Sequence, residues 1–328
     1  MPAMRICVVG AGAVGGFLAN ILARAGHDVT VIARGRHLAA IRWNGLTLTS
    51  AAGLTPFTAY VKATDDLSGV GPQDLIFLTL KAHDVPGISA GLAPAMGRDT
   101  IVVPVVNGIP WWYFHGLPIS ERHRPIECLD PMGHAARNIA MDRVIGCVVR
   151  IAAEVSGPGV VRHTFGSRFI LGEPSGGLSK RLLRVCEALN GAGLDAQPTA
   201  SIRSEIWAKL VGNLSTNPLS ALTHGCLDDL CANPALVELM RKLMAECMAV
   251  GAQYGIEFAS TIDDNLARVR GLGNSKPSML QDVERGRPME VAAILESVAE
   301  LALRTRTATP TLDVVRNLIG ERAKHLAS

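Results

Sequence analysis

RICVVGAGAVGG, at residues 5–16, joins a short apolar run to a glycine-rich loop. The apolar run predicts a buried β-strand, and the loop has the GxGxxG spacing at the place where a strand would give way to a helix. There the first glycine makes a tight turn, the second lets backbone approach a pyrophosphate, and the third lets helix and strand pack closely. We therefore predict a dinucleotide site, the alternative being a glycine turn that binds nothing. The six predicted cofactor-binding residues are Gly10, Ala11, Gly12, Ala13, Val14 and Gly15.

Further apolar runs follow this loop at the rhythm of alternating strands and helices. Their near-continuous Val, Ile and Leu content is typical of parallel strands that are buried on both faces. Helix-length segments such as 17–25 and 85–96 lie between them, which predicts a doubly wound sheet. Pro104 is expected at an edge or irregular position, because proline cannot donate to a β-ladder. The predicted strands are 5–9, 28–33, 75–80, 101–106 and 144–151.

The pattern changes from about residue 201, where apolar residues recur at helical spacing and no strand pattern is evident. Residues 201–214, 234–254 and 289–306 are predicted helices, and 255–277 should hold another. The predicted fold class is therefore α/β, with an N-terminal doubly wound Rossmann domain followed by an all-helical C-terminal domain. We place the dinucleotide-binding Rossmann domain at 1–199 and the helical domain at 200–328.

The residue after the second strand bears on the choice of dinucleotide. An NAD site needs Asp or Glu about 20 residues beyond the loop to bond the ribose 2′-hydroxyl. Here Arg34 takes that place, followed by Arg36 and His37, with no carboxylate close by. A guanidinium suits a 2′-phosphate, so Arg34 favours NADP(H) over NAD. The other interpretation of Arg34 is a solvated surface charge.

Two more polar residues follow predicted strands, Lys81 after LIFLTL and Asn107 after IVVPVV. Ligands of doubly wound sheets bind at the carboxyl ends of the strands, so Arg34, Lys81 and Asn107 are expected to rim one crevice. The competing interpretations are a solvated lysine at Lys81 and a plain Asn-Gly turn at residue 107.

Lys209, Asn213 and Asn217 lie four residues apart in the helical half, so they share one helix face. Asparagine has low helix propensity, and a lysine in line with two amides is unusual for a solvated face. This pattern is compatible with a polar functional site and with an exposed polar stripe. Further along, Ser278 resembles a helix N-cap, and Glu290 resembles a first-turn acid favoured by the helix dipole.

Composition excludes several classes of protein. The 328 residues are 48% hydrophobic, which excludes disorder as the main state, and the net charge of +3 argues against nucleic acid or a membrane surface as partner. The seven scattered cysteines form no CxxC, and no His/Cys/Asp cluster has metal-ligand spacing, so no metal is expected. The start MPAMRICVVG lacks a signal-peptide pattern, and no apolar run reaches the roughly 18 residues of a membrane span. We expect a soluble, cytoplasmic protein.

Taken together, these segments resemble the ketopantoate reductase (2-dehydropantoate 2-reductase) family. The matching blocks appear in family order and cover most of the chain, and the last two are more specific than the glycine loop. They are VVGAGAVGG, the arginine of VIARG, LTLKAHDV, VVNGI, WAKLVGNLSTNPLSALT and SMLQDVERGRPMEV.

The resemblance implies NADPH-dependent reduction of a 2-keto acid, most simply ketopantoate to pantoate in coenzyme A precursor synthesis. Carried over by position, Lys209 resembles the catalytic lysine. The substrate contacts would come from Asn107, Asn213, Asn217 and Ser278. The resemblance adds Asn107, Ala136 and Glu290 to the cofactor contacts, which also include the glycine loop, Arg34 and Lys81.

Two departures from the family bear on the substrate more than on the reaction class. The Ile-Asp that usually follows the glutamate is Val291-Ala292 here, and Trp111, Trp112 and Tyr113 follow Asn107 closely. Those rings could shape a pocket or serve as interface packing. Two alternative functions remain open, a reductase of a different 2-keto acid and a non-catalytic NADPH sensor. The helical half is equally compatible with a homodimer face and with ordinary core.

Overall fold

The computed structural model describes residues 2–50, 55–117 and 124–327, which fall into two compact units. The first unit consists of Met1–Val106, Phe114–Arg124 and Met132–Ile202. The second consists of Asn107–Tyr113, Pro125–Pro131 and Arg203–Ser328. Each unit therefore draws on more than one stretch of sequence.

The first unit contains a parallel five-stranded sheet. Its strands are β1 (Arg5–Val9), β2 (Asp28–Ile32), β5 (Lys62–Thr64), β6 (Gln73–Leu78) and β7 (Met96–Pro104). They are ordered β5-β2-β1-β6-β7, so the chain moves outward from β1 first in one direction and then in the other. This reversal beside β1 is the topological switch point of a doubly wound sheet, and it confirms the predicted Rossmann fold. Pro104 lies on β7, the edge strand in that order, where a missing N–H is tolerated.

A second sheet was not anticipated from the sequence. Its strands are β3 (Leu46–Ser50), β4 (Phe57–Ala59), β8 (Gly146–Gly157), β9 (Val160–Gly172) and β10 (Asp195–Thr199). The prediction that 144–151 adds a parallel strand to the first sheet is wrong beyond its first residue. Val144 makes a single parallel bridge to Val102, and β8 then pairs antiparallel with β9. The apolar content of this run is that of any buried strand, so it could not reveal the partner.

The helices of the first unit flank these sheets, and α1 lies against both. They are α1 (Ala13–Arg24), α2 (Gly35–Asn44), α3 (Val85–Ser89), α4 (His134–Asn138) and α5 (Lys180–Gly191). Buried Asn20 of α1 donates to the Leu46 carbonyl at 2.7 Å and to the Phe57 carbonyl at 3.1 Å. A Cβ on Gly16 would lie 2.6 Å from Val161 Cγ2, so only glycine permits this approach to β9. These contacts fix α1, and with it the glycine loop that opens the helix.

From Arg203 onward, the described residues of the second unit form helices joined by turns and loops, and none of them lies in a strand. Its helices are α6 (Ile202–Thr223), α7 (Leu227–Ala232), α8 (Pro234–Gln253), α9 (Ile262–Arg270), α10 (Ser278–Glu284), α11 (Ser297–Thr305) and α12 (Pro310–Ala327). Asn233 caps α8 by accepting from the Ala235 N–H, with Pro234 at the first helical position as its sequence suggests. The predicted all-helical half is confirmed.

Close packing around α8 organises this unit. A Cβ on Gly251 would come within 3.0 Å of the buried Trp207 ring, so the glycine lets α8 approach α6. The Glu246 carboxylate accepts from the Thr311 and Leu312 N–H groups at 2.9 and 2.8 Å. A carboxylate there complements the positive end of the α12 dipole.

Two details of the helical prediction need correction. Ser278 is the first residue of α10 rather than its cap, because Pro277 holds the N-cap position without a side-chain bond. Glu290 precedes the next helix instead of lying in its first turn. That helix begins at Val291 and passes through a π-helical turn, Ala292–Glu296, before continuing as α11.

Candidate functional site

The glycine loop of the first unit is held tightly by its neighbours. The N–H groups of Gly10 and Ala11 both donate to the Ile32 carbonyl, at 3.0 and 3.1 Å. Gly10 has φ +104°, a backbone conformation that side-chain-bearing residues rarely adopt. Its carbonyl accepts from the Thr79 hydroxyl at 2.7 Å. The loop is therefore fastened to the ends of both strands that flank β1.

The three glycines of the loop meet different surroundings. A Cβ on Gly15 would lie 2.0 Å from the Gly10 carbonyl oxygen, whereas a Cβ on Gly12 would meet nothing within 4 Å. Gly15 thus serves close packing, and Gly12 faces open space. Ala13 and Val14 begin α1, whose first turn contains no acid. Open space beside a helix N-terminus without negative charge suits a phosphate group.

Arg34 and Lys81 lie beyond neighbouring strands at the carboxyl edge of the first sheet. Arg34 is exposed, two residues after β2, and caps α2 through its backbone. Lys81 is half-buried, three residues after β6, and precedes a short 3₁₀ turn. Because β1 lies between β2 and β6, the glycine loop emerges between these two cations. Asn107, the third residue of the expected rim, belongs to the second unit.

Ala136 is exposed in the middle of α4, a helix of five residues in the first unit. The left-handed backbone of Met132 and Gly133 leads into this helix. At its end Asn138 donates to the Ser89 hydroxyl at 3.0 Å, which ties α4 to α3.

Three polar residues of the second unit form a continuous hydrogen-bonded chain. Lys209 Nζ donates to Asn107 Oδ1 at 2.8 Å, and Asn107 Nδ2 donates to Glu290 Oε2 at 2.8 Å. Glu290 is buried, whereas Lys209 and Asn107 are half-buried. The Asn107 amide therefore accepts from the ammonium on one side and donates to the carboxylate on the other. The chain joins the lysine Nζ to a buried carboxyl group through one amide.

Asn107 is held in place by the turn that follows it. Gly108 has φ +74°, and a Cβ there would lie 1.9 Å from the Ala293 carbonyl oxygen. The Ile109 N–H donates to that same carbonyl at 3.0 Å. Ala293 is the second residue of the π-helical turn and lies three residues after Glu290. The Asn107 turn and the Glu290 segment are thus bound to each other through backbone.

The remaining predicted substrate residues lie on the same helix as Lys209 or face it. Asn213 and buried Asn217 both lie on α6, four and eight residues after Lys209. Asn217 Nδ2 donates to the exposed Ser278 hydroxyl at 3.4 Å, which is a long bond. Asn213 is half-buried, and its side chain makes none of the hydrogen bonds described.

The aromatic rings after Asn107 belong mainly to the interior of the second unit. Trp112 and Tyr113 are buried, and Tyr113 accepts from Trp207 Nε1 at 2.7 Å. Burial raises the pKa of the Tyr113 hydroxyl to about 12. Arg203 donates to the Tyr113 carbonyl at 2.7 Å and lies over the Trp112 and Tyr113 rings, and its pKa is lowered by burial. Packing of this unit explains these two rings.

Sequence reasoning missed Thr79, whose hydroxyl binds the carbonyls of Val9 and Gly10. The signal was available, because Thr79 is a polar residue at the end of an otherwise apolar run. Among residues 2–50, 55–117 and 124–327, no group of three or more His, Cys, Asp or Glu side chains could hold a metal ion. Within the same ranges, none of the helices combines the length and apolarity of a membrane span.

Comparison with known proteins shows where this chain belongs. Residues 6–176 match the family Ketopantoate reductase PanE/ApbA, and residues 201–323 match its C-terminal domain. The chain belongs to the ketopantoate reductase family. Membership confirms the resemblance seen in the sequence and the expected oxidoreductase class.

Relatives of this family align with the chain over nearly its whole length. A 2-dehydropantoate 2-reductase from Mesorhizobium japonicum is 44% identical over 96% of this chain and 97% of its own. A crystal structure from Ralstonia solanacearum, attributed to a ketopantoate reductase, is 38% identical with a TM-score of 0.93 and covers 98% of both chains. The crystal structure of 2-dehydropantoate 2-reductase from Geobacter metallireducens is 29% identical, has a TM-score of 0.85, and covers 97% of this chain and 99% of its own.

Proposed function

We propose that this protein reduces 2-dehydropantoate to pantoate with NADPH, a step in the synthesis of pantothenate and coenzyme A. The observation that carries the proposal is the chain Lys209–Asn107–Glu290, in which a cation is oriented by an amide bonded to a buried acid. A binding protein has no chemical need for such an arrangement. The 44% identical relative is named for this reaction.

The first unit fits NADPH on two structural observations. The loop is open at Gly12 where a pyrophosphate would approach, and exposed Arg34 follows β2 where a 2′-phosphate would lie. We assign cofactor contacts to Gly10, Ala11, Gly12, Ala13, Val14, Gly15, Arg34, Lys81, Asn107, Ala136 and Glu290. When bound, the nicotinamide supplies the hydride.

Lys209 is the proposed catalytic residue. Negative charge grows on the ketone oxygen as the carbonyl is reduced, and a nearby ammonium both stabilises that charge and donates the proton. The Asn107 carbonyl oxygen accepts one N–H of the ammonium and so orients the remaining two. Glu290 accepts from the Asn107 amide, which fixes the amide with its oxygen toward Lys209. Asn107 is thereby held between the acid and the cation.

The substrate is proposed to be held by Asn107, Asn213, Asn217 and Ser278. Amides and hydroxyls can donate to a carboxylate and pair with a hydroxyl group, which are the two polar features of 2-dehydropantoate besides its ketone. Asn213 makes none of the bonds described for the second unit, and its place one turn after Lys209 suits a ligand contact.

A panel of 2-keto acids, each tested with NADPH and NADH and ranked by kcat/KM, tests the proposal. We expect 2-dehydropantoate with NADPH to rank first. A different keto acid ranking first would keep the reaction class and change the substrate. Tight NADPH binding without turnover of any keto acid would favour the non-catalytic sensor and reject the proposal.

Three further proposals concern organisation. Along the sequence we assign the NADP-binding domain to 1–199 and the helical substrate domain to 200–328, although residues 107–113 and 125–131 belong to the second structural unit. We also propose a cytoplasmic location. A homodimer is proposed from the exposed apolar residues Leu303, Val314 and Leu318 on α11 and α12. Sedimentation of the protein at micromolar concentration tests the dimer, and a single monomeric species would reject it.

A further inference from the structure

His37 bridges two backbone segments of the first unit that lie far apart in sequence. Its Nε2 is 2.7 Å from the Ala11 carbonyl oxygen in the glycine loop. Its Nδ1 accepts from the Gly159 N–H at 3.0 Å, in the turn between β8 and β9. The imidazole therefore joins the glycine loop to the second sheet.

These two partners determine where the imidazole carries its proton. The Gly159 N–H can only donate, so Nδ1 must be the unprotonated, accepting nitrogen. The Ala11 carbonyl can only accept, so Nε2 must carry the hydrogen. Neutral His37 in this tautomer satisfies both contacts at once.

The contact with Ala11 has a directional consequence for the loop. In a planar trans peptide unit the carbonyl and the following N–H point in opposite directions. Holding the Ala11 carbonyl toward His37 therefore aims the Gly12 N–H away from His37. The Gly10 and Ala11 N–H groups both donate to the Ile32 carbonyl, and the Gly12 N–H takes no part in those two bonds. A Cβ on Gly12 would meet nothing within 4 Å, so its surroundings are open.

The other end of the bridge is well anchored. The Gly159 carbonyl accepts from the Thr47 N–H at 2.8 Å, which binds this turn to β3. A Cβ on Gly159 would lie 3.2 Å from Ala40 Cβ, so the turn also packs against α2. His37, itself on α2, thus contacts a turn that is bonded to β3 and packed against the same helix.

We propose that His37 is a positioning residue for cofactor binding, which sets the Ala11–Gly12 peptide plane so that the Gly12 N–H donates to a phosphate of NADPH. The inference rests on the proposed NADPH binding and adds a residue to it. His37 acts through the loop backbone, so it affects cofactor affinity and not the chemical step.

Two substitutions separate the two contacts of the imidazole. In His37→Gln the side-chain amide reaches the position of Nε2 and keeps a donor for Ala11. In His37→Asn the amide occupies the position of Nδ1, so its oxygen keeps an acceptor for Gly159 while the donor to Ala11 is lost. His27→Asn is the matched control, because His27 Nδ1 also accepts a backbone N–H, from Met4 at 3.2 Å, but precedes β2 at the amino edge of the sheet.

The measurements are the Kd for NADPH, kcat at saturating NADPH, and the melting temperature of each variant. Losing one neutral hydrogen bond is worth about fivefold in an equilibrium, so we expect His37→Asn to raise the Kd by about fivefold or more. His37→Gln should stay within about twofold of the unsubstituted protein, and kcat should be unchanged in both. His27→Asn should leave the Kd unchanged.

Equal Kd values for His37→Asn and His37→Gln, with equal loss of melting temperature, would show that His37 serves stability alone and would overturn the inference. A second measurement does not depend on the variants. In the unsubstituted protein, the Gly12 amide resonance should shift strongly when NADPH is added, and an unmoved resonance alongside measured binding also overturns it. Failure of the unsubstituted protein to bind NADPH would instead reject the proposed function, and the inference with it.

Discussion

The glycine loop and the Lys209–Asn107–Glu290 chain are both polar sites, yet they are built over very different lengths of sequence. The loop is six consecutive residues whose spacing alone encodes a turn, an open approach and a tight helix contact. The Lys209–Asn107 and Asn107–Glu290 bonds join residues that are 102 and 183 positions apart. A local motif is readable from one sequence because backbone geometry dictates its residue types, whereas a long-range chain depends on the completed fold.

This difference predicts different consequences for substitution. Damage to the loop should change how well the cofactor binds, while damage to the long-range chain should change the rate of the chemical step. The largest expected change in rate therefore comes from substitutions in the Lys209–Asn107–Glu290 hydrogen-bonded chain.

Lys209→Ala removes the group proposed to donate the proton and stabilise the developing charge. We expect kcat to fall by about two orders of magnitude or more, the range for removal of a positioned acid. The Kd for NADPH should change much less, because the glycine loop is untouched. Steady-state kinetics with 2-dehydropantoate, together with fluorescence titration of NADPH, checks both expectations.

Lys324→Ala is the matched control for this substitution. Lys324 is exposed on α12 and pairs with Glu321 at 2.6 Å, so its loss should leave kcat unchanged. Near-normal turnover in Lys209→Ala would reject Lys209 as the acid.

Asn107→Ala tests whether the amide that links Lys209 to Glu290 contributes to kcat and to stability. It removes the acceptor for Lys209 and leaves a buried oxygen of Glu290 without the Asn107 donor. Bonds to charged groups are worth about 1.5–3 kcal/mol, so we expect kcat to fall by roughly tenfold to a hundredfold. The free energy of unfolding should fall by about 1–3 kcal/mol, measured by urea denaturation.

Asn213→Ala provides the contrast on the same protein. Its side chain makes none of the bonds described, so stability should hardly change, and the expected effect is a higher KM for the keto acid. If Asn107→Ala and Asn213→Ala lose stability and activity equally, the hydrogen bonds of Asn107 to Lys209 and Glu290 do not contribute to catalysis.

The fold was predictable from sequence wherever the pattern was local. The order of β1, α1 and β2, and the helices α6 and α8, followed from apolar periodicity and from the glycine loop. The second sheet was not predictable in this way. Its strands β3 and β4 are short and threonine-rich, and β8 is apolar enough to resemble one more parallel strand.

The candidate site shows the same difference between features set by local sequence and features set by the completed fold. Helical spacing predicted that Lys209, Asn213 and Asn217 share one helix face, and all three lie on α6; their proposed roles come from the family resemblance. Asn107 accepts from Lys209 and donates to Glu290, a link that no sequence spacing pointed to. Only the fold brings the Asn107 turn against the π-helical turn after Glu290, through the Ala293 carbonyl. No spacing rule links residues 183 positions apart.

Arg34→Asp has a smaller expected effect than Lys209→Ala or Asn107→Ala, and it tests the glycine-loop side of the comparison. The substitution removes a guanidinium suited to a 2′-phosphate and supplies an acceptor suited to a ribose hydroxyl. We expect the ratio of kcat/KM for NADPH to that for NADH to fall by about tenfold, in line with one charge-assisted bond partly exposed to solvent. Stability should not fall, because Arg34 is exposed and aspartate is a favoured residue at the N-cap of α2.

Arg98→Asp controls for the change in net charge. Arg98 is also exposed, but it lies near the amino end of β7, at the opposite edge of the sheet from the glycine loop. Its substitution should leave the cofactor ratio unchanged. Equal cofactor ratios for Arg34→Asp and the unsubstituted protein would show that Arg34 is only a solvated charge. The preference for NADPH would then arise from another residue, and Lys81 would be the next to test.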